Sequence, residues 1–371
     1  MDTPLNLHDL RALAQQQLSP MAWGYYADGA RDHITLDDAP RAWQRIRMRP
    51  RMLAQVGERS VARKVLGRLQ DSPLVVAPMA FQGMAHADGE LATARASGMA
   101  GVPMVLSTLS NQPVEQVAAA SQQPTWFQLY VYKDRGATAA LVQRAQAAGC
   151  SALVLTVDAP ILGTREGDIR RGFHLPDHLH CANLTGTPGE ALPPVAAESG
   201  LGAYFGSLLE PNLGWQDLEW LRTVTDLPIL IKGVLHAQDA RIARDAGVAG
   251  VVVSNHGGRQ LDGAISTAQA LDEIKQAVGD SLTLHVDGGI RRGSDVLKAL
   301  ALGAEAVWIG RPVLWGLAWA GAAGVGYVLS LLRNELDEAM ALSGLSSLAV
   351  LPPDLLCGPW QGPGGGDSVG P

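Results

Sequence analysis

Gly250-Val251-Val252-Val253-Ser254-Asn255-His256 is the stretch that decides the fold. Three consecutive valines leave no alternation of wet and dry faces, so the segment reads as a parallel strand buried on both sides. It then ends abruptly in three polar residues. Seven further runs show the same β-rich, mostly apolar character, at 74–80, 102–107, 125–130, 152–158, 228–233, 282–289 and 306–312, with helical segments between them. Eight such runs alternating with helices predict an α/β chain folded as a (β/α)8 TIM barrel. An open doubly wound sheet is the second reading. Gln128, Tyr130, Thr156, Asp158, Lys232, His256, Asp287 and Arg311 all fall at the trailing ends of their runs. Barrel enzymes place their chemistry at that end of the strands.

Around this core the chain to about residue 49 reads as helical, with Leu5, Leu10, Leu13 and Leu18 spaced as one apolar face. A long segment at 159–215, rich in Gly, Pro, His and Ala, follows the fourth strand and is a candidate lid or substrate loop. From residue 352 the chain is dominated by Gly and Pro, as in Gly362-Pro363-Gly364-Gly365-Gly366, and is expected to be disordered. The expected organisation is one barrel domain at 1–351 with a tail at 352–371.

The 371 residues are 47% hydrophobic and 18% charged, enough for a large core. A net charge of −7 argues against a nucleic-acid surface, though it allows a small basic pocket for one anion. Cys150, Cys181 and Cys357 are scattered and odd in number, so neither a metal site nor a disulfide framework is expected. With no signal-peptide pattern, this points to a reducing, cytoplasmic setting. The run 313–332 carries no charge and is long enough to span a bilayer. Its glycines at 316, 321, 324 and 326 fit two packed helices meeting at a joint instead. An oligomer interface is the expected use of such an apolar surface, rather than a membrane.

Three constellations carry chemistry. His256 at a strand end can act as a base near neutral pH, with Gly257 and Gly258 allowing a tight turn and Arg259 suited to a carboxylate. Asp158, from another strand end, is placed to orient its imidazole. Asp287-Gly288-Gly289-Ile290-Arg291 closes the seventh run and Gly310-Arg311 the eighth, where barrels commonly bind phosphate. Lys232 closes the fifth. A lysine in a barrel mouth needs an anion, and it would either form a Schiff base or neutralise a reduced cofactor.

The segment Ser254-Asn255-His256-Gly257-Gly258-Arg259-Gln260-Leu261-Asp262 is similar to the signature of the FMN-dependent 2-hydroxy acid oxidase and dehydrogenase family, which includes glycolate oxidase, lactate oxidase and mandelate dehydrogenase. Tyr25-Tyr26, Phe127-Gln128-Leu129-Tyr130, Leu155-Thr156-Val157-Asp158, Asp287-Gly288-Gly289-Ile290-Arg291 and Ile309-Gly310-Arg311-Pro312 match in order, and the resemblance spans residues 7–351. It implies that His256 is the base, supported by Asp158, and that Arg165, Arg259 and Tyr25 hold a substrate carboxylate. It places Tyr130 near the substrate hydroxyl and has Lys232 neutralise the reduced flavin, which removes the Schiff-base reading. Ala80, Ser107, Gln128 and Thr156 are implied contacts of the FMN ring. Asp287 would meet its ribityl chain, and Gly289, Arg291, Gly310 and Arg311 its phosphate.

The implied reaction is oxidation of an L-2-hydroxy acid to the 2-oxo acid, with O2 as acceptor giving hydrogen peroxide, by a homotetramer. A quinone- or cytochrome-linked dehydrogenase is the alternative. An isoprenoid diphosphate isomerase would not need the base and arginines so arranged, and a non-catalytic flavin scaffold would have lost the base. Two positions depart from the family pattern. Leu109 stands where glycolate oxidase-like members carry a bulky aromatic, which implies a substrate larger than glycolate. Met79 replaces a frequent Thr.

Overall fold

The computed structural model describes residues 3–187, 189–190 and 200–357. All eight predicted runs form strands: β1 (Leu74–Val76), β2 (Met104–Leu106), β3 (Thr125–Leu129), β4 (Leu153–Thr156), β5 (Ile229–Val234), β6 (Gly250–Val253), β7 (Leu284–Val286) and β8 (Ala306–Ile309). Each pairs in parallel with the next, and β8 returns to β1 with Val307 opposite Leu74, so the sheet closes. The doubly wound alternative is thereby excluded. Most strands are shorter than their runs, and polar trailing residues such as Asp158, His256 and Asp287 lie past the ladder at the mouth.

Two faces of each strand bury two different sets of side chains, which explains the unbroken apolar runs. One set, including Val75, Val105, Trp126, Val154, Leu230, Val252 and Trp308, fills the barrel interior. The other, including Leu74, Leu106, Leu155 and Val253, packs against the surrounding helices. An antiparallel hairpin, Arg63–Val65 with Arg68–Gln70, inserts Val65 into the interior cluster. Its turn donates the Leu66 N–H to Glu305, just ahead of β8 (2.7 Å).

The N-terminal stretch folds as α1 (Leu7–Gln17), α2 (Pro20–Ala27) and α3 (Ile34–Arg45). Asn6 caps α1 by accepting the His8 and Asp9 N–H groups, and Ser19 with Pro20 starts α2. Leu10 and Leu18 are buried as expected, whereas Leu5 precedes the first helix and is 80% exposed. The apolar face begins at Leu7. The long segment after β4 carries α4 (Glu166–Arg170) and α5 (Gly200–Leu208).

The uncharged run lies in α6 (Arg311–Ser343), which breaks at Ala320 and Gly321. A Cβ on Gly316 or on Gly324 would collide with the other's carbonyl oxygen, so the glycines allow the two halves to touch backbone to backbone. Among the described residues α6 alone is long and apolar enough to cross a membrane, yet 56% of its most apolar stretch is buried inside the protein. It packs against α1 and the helices Gly89–Met99 and Gly293–Ala301.

The tail boundary needs correction. Leu355 is buried, and Leu356–Cys357 pairs antiparallel with Arg47–Met48, because apolar residues at 355–357 have a strand edge to join. The rest of the expected tail, 358–371, lies outside the described residues.

Candidate active site

The trailing ends of the strands, α2 and α5 enclose a cavity of about 160 Å³. Of the sequence-predicted site residues, Tyr25, Ala80, Ser107, Leu109, Gln128, Tyr130, Thr156, Arg165, Lys232, His256, Arg259, Asp287, Gly289, Arg291, Gly310 and Arg311 all line it. Asp158 stands one layer behind, against His256.

The imidazole is held by a strained turn. His256 adopts φ +56°, followed by Gly257 at +65° and Gly258 at +72°. A non-glycine residue in the left-handed region persists only where its surroundings over-determine it. Here they do: the Ser254 hydroxyl accepts the His256 N–H (3.1 Å), and Gln260 donates to the Asp158 carbonyl (2.8 Å). A side chain at Gly258 would run into the backbone of Leu36, so this glycine lets α3 close over the turn.

His256 Nδ1 lies 2.8 Å from Asp158 Oδ1, which leaves Nε2 for a ligand in the cavity. Burial pushes the imidazole below its usual range, against the opposing pull of Asp158. The ring is therefore neutral at pH 7. Burial also works against the Asp158 carboxylate, but His256 and Lys232 outweigh it and hold its carboxyl below the ordinary range. Asp158 Oδ2 is buried with no hydrogen-bond partner.

Two guanidinium groups face the same space. Arg165 is 5% exposed, with its Nε unpartnered and Asp168 3.9 Å from Nη1. Burial and the nearby Arg259 push it down to about 10. Arg259 is tied through Nη1 to the Tyr25 and Asp28 carbonyls (2.6 and 2.9 Å) and lies 4.9 Å over the Tyr25 ring. That ring stacks on Phe173. A buried and a half-buried arginine with weak anionic partners suit a carboxylate. Burial pushes the Tyr25 and Tyr130 hydroxyls up, so both remain protonated hydrogen-bond donors at pH 7.

Across the barrel mouth, polar side chains form a ladder over three strands. Ser107 and Gln128 approach at 3.4 Å, and Gln128 Nε2 donates to the Thr156 hydroxyl (3.0 Å). Lys232 donates to Ser254 (3.0 Å) and pairs with Asp287 Oδ2 at 3.3 Å. Burial disfavours its charge, but Asp287 and Asp158 outweigh that and raise it above the ordinary lysine range. It is a fixed cation.

These groups fit a flavin mononucleotide. The ladder offers alternating donors and acceptors to ring heteroatoms, and Lys232 a positive charge beside them. Asp287 Oδ1 is buried with no hydrogen-bond partner, as expected of an acceptor awaiting a ribityl hydroxyl. Beyond it, burial and the neighbouring Arg259 and Arg291 hold Arg311 well below the usual arginine range. Burial and Arg11 push Arg291 down to about 10. Such mutual repulsion calls for a phosphate.

Sequence reasoning missed Leu201, Phe205 and Trp308, which also line the cavity. Phe205 meets the Tyr130 ring edge-on at 5.4 Å. The helical apolar pattern Leu201–Leu209 inside the long segment was the available signal for the first two. Trp308 is an inward strand residue whose side chain reaches the cavity floor.

A family model described as FMN-dependent dehydrogenase matches residues 14–357. An L-lactate oxidase of Nostoc sp. is 53% identical over 352 residues, covering 94% of this chain and 96% of the relative. Glycolate oxidase 1 of Zea mays is 49% identical over 344 residues, 93% of each chain. A crystal structure of mandelate oxidase with (S)-4-hydroxymandelic acid superposes with a TM-score of 0.91 at 42% identity, covering 95% of this chain and 98% of that one. With the barrel, the flavin-shaped donor set and near full-length matches in agreement, this chain belongs to the FMN-dependent dehydrogenase family.

Proposed function

We propose that the protein oxidises an L-2-hydroxy acid larger than glycolate to the 2-oxo acid, passing the electrons to dioxygen and releasing hydrogen peroxide. The observation that carries this reading is the His256–Asp158 pair, 2.8 Å apart, opening onto a cavity lined also by the buried Arg165 and the half-buried Arg259. A base and a carboxylate receptor facing one small space suit a 2-hydroxy acid, whose reacting carbon is one bond from its carboxylate. Oxidase relatives named for lactate, glycolate and mandelate support dioxygen as acceptor.

Arg165 and Arg259 grip the carboxylate, with the Tyr25 hydroxyl as a further donor. Tyr130 hydrogen-bonds to the substrate hydroxyl. Their fixed geometry turns the 2-carbon toward the ladder of Ser107, Gln128 and Thr156. Bound FMN supplies the two-electron acceptor. His256 is neutral before reaction and takes the proton that the substrate loses, on Nε2. Asp158 then faces an imidazolium, and the stabilisation of that cation is its contribution to the rate. Lys232 holds positive charge where negative charge develops. Asp287 binds the ribityl chain, and Arg291 and Arg311, with the backbone at Gly289 and Gly310, hold the phosphate.

Leu109 and Phe205 border the substrate side of the cavity and set its size. A panel of glycolate, L-lactate, (S)-mandelate and longer 2-hydroxy acids, followed anaerobically by flavin bleaching, tests this reading. Bleaching is expected to be fastest with an acid larger than glycolate. Fastest bleaching by glycolate would overturn the size assignment, and bleaching by none would overturn the reaction. We further propose a cytoplasmic homotetramer, for which the exposed Leu342 and Val350 offer apolar surface; sedimentation velocity gives the subunit number.

A further inference from the structure

Outside the flavin cavity, α1, α3 and the start of the helix Gly293–Ala301 surround a second cavity of about 640 Å³. It shares Arg291 and Arg311 with the phosphate end of the first. Arg11, Arg41, Arg47 and Lys298 also line it, against only Asp37 and Asp295. In a chain of net charge −7 this is a marked concentration of cations. Lys298 pairs with Asp295, whereas Arg11, Arg41 and Arg47 form no ion pair among the described residues.

Charge is not the only indication. Trp315 lines this cavity but not the flavin cavity, is 3% exposed, and its indole N–H is buried without an acceptor. Arg291 lies 5.1 Å over the same ring. A phosphate monoester brings about two negative charges. One such group on Arg291 and Arg311 leaves the buried Trp315 N–H without an acceptor and the solvent-exposed Arg11, Arg41 and Arg47 without an ion pair.

We propose that this cavity binds a second phosphate group, distinct from the flavin's, either free phosphate or pyrophosphate or the diphosphate of a nucleotide. The proposal rests on the reading that Arg291 and Arg311 take the flavin phosphate. FMN uptake, read from flavin absorbance before each titration, tests that reading separately.

The experiment is calorimetric titration of the FMN-saturated protein with pyrophosphate, inorganic phosphate and ADP at low ionic strength. One site per chain is expected, weakening as salt is added. An Arg41→Gln, Arg47→Gln double variant should bind at least about tenfold more weakly, since hydrogen bonds to charged groups are strong. Trp315→Phe, which keeps the ring and removes the donor, should also weaken binding while flavin content stays constant. ADP binding more tightly than pyrophosphate assigns a nucleotide, and the reverse order assigns the free anion. Absence of binding to the FMN-loaded protein overturns the proposal. So does binding unchanged in the double variant, or binding confined to FMN-free protein.

Discussion

His256 and His285 stand on adjacent segments of one barrel, each beside a carboxylate, yet their surroundings differ in every respect that matters for chemistry. His285 is fully buried in β7: the Trp308 indole donates to its Nδ1 (3.0 Å), and Nε2 lies 3.3 Å from Glu305. Both ring nitrogens are used, and Trp126 packs against the ring at 6.0 Å. His256 has Nδ1 on Asp158, Nε2 free at a cavity, and a left-handed backbone. On the proposed reading, a histidine–carboxylate pair serves catalysis where one nitrogen is left over and a strained backbone holds it toward open space. Inside the barrel the same pair is a packing element.

Breaking each pair in turn tests this contrast. The largest effect is expected at His256: a His256→Gln protein should retain FMN while substrate-dependent flavin reduction slows about 10²–10⁴-fold, the usual contribution of a general base. Replacement of Arg165 by Met should lower kcat/KM roughly 10- to 100-fold, because a hydrogen bond to a charged group is worth about 1.5–3 kcal/mol. Steady-state kinetics on a 2-hydroxy acid checks it, and an uncharged analogue should lose the dependence.

Asp158→Asn sharpens the comparison through pH. The carboxylate raises the His256 pKa against burial, so its loss lowers that pKa further. The acid limb of the flavin-reduction rate, where the base becomes protonated, should move to lower pH. The plateau rate should fall with it, because the imidazolium formed in reaction loses its counter-charge. Anaerobic stopped-flow across pH separates the two effects.

At the other pair, His285→Phe should leave the rate of flavin reduction within a few-fold. It leaves the Trp308 N–H without its acceptor inside the barrel, which costs about 1–3 kcal/mol of stability. Thermal unfolding measures that loss.

The smallest effect concerns a carboxylate with no histidine at all. Glu90 is fully buried and accepts the Gln82 and Asn111 N–H groups (both 3.1 Å), joining the loops after β1 and β2. Burial pushes its carboxyl up from an ordinary 4.5 to about 7. A raised carboxyl pKa means that the folded state favours the protonated form. The stability this gives is present below the unfolded value and is lost as pH rises through about 7. Glu90→Gln should flatten the fall in melting temperature across that interval.

The contrast between the two histidines was legible only in part. Sequence placed His256 because it trails an apolar run and is followed by two glycines and an arginine. Its partner Asp158 lay at the end of a run two strands away, so the polar residues at the trailing ends already sketched the mouth. His285 carried no such signal, and the inward-facing Trp308 gave no hint that its side chain reaches the cavity. Phe205 was missed for another reason: the loop-like composition of its segment masks a short helical apolar pattern, and contact with Tyr130 makes α5 a cavity wall. The tail boundary failed similarly, since a two-residue strand at 356–357 depends on a partner edge some three hundred positions earlier.

The proposed role of His256 is to take, on its free nitrogen, the proton a 2-hydroxy acid loses as it reduces the flavin. Its most direct test adds L-lactate or (S)-mandelate, without oxygen, to FMN-loaded wild-type and His256→Gln proteins side by side, read at the flavin absorbance. The wild-type protein should bleach promptly while the variant stays yellow. Equal bleaching of both would contradict the account.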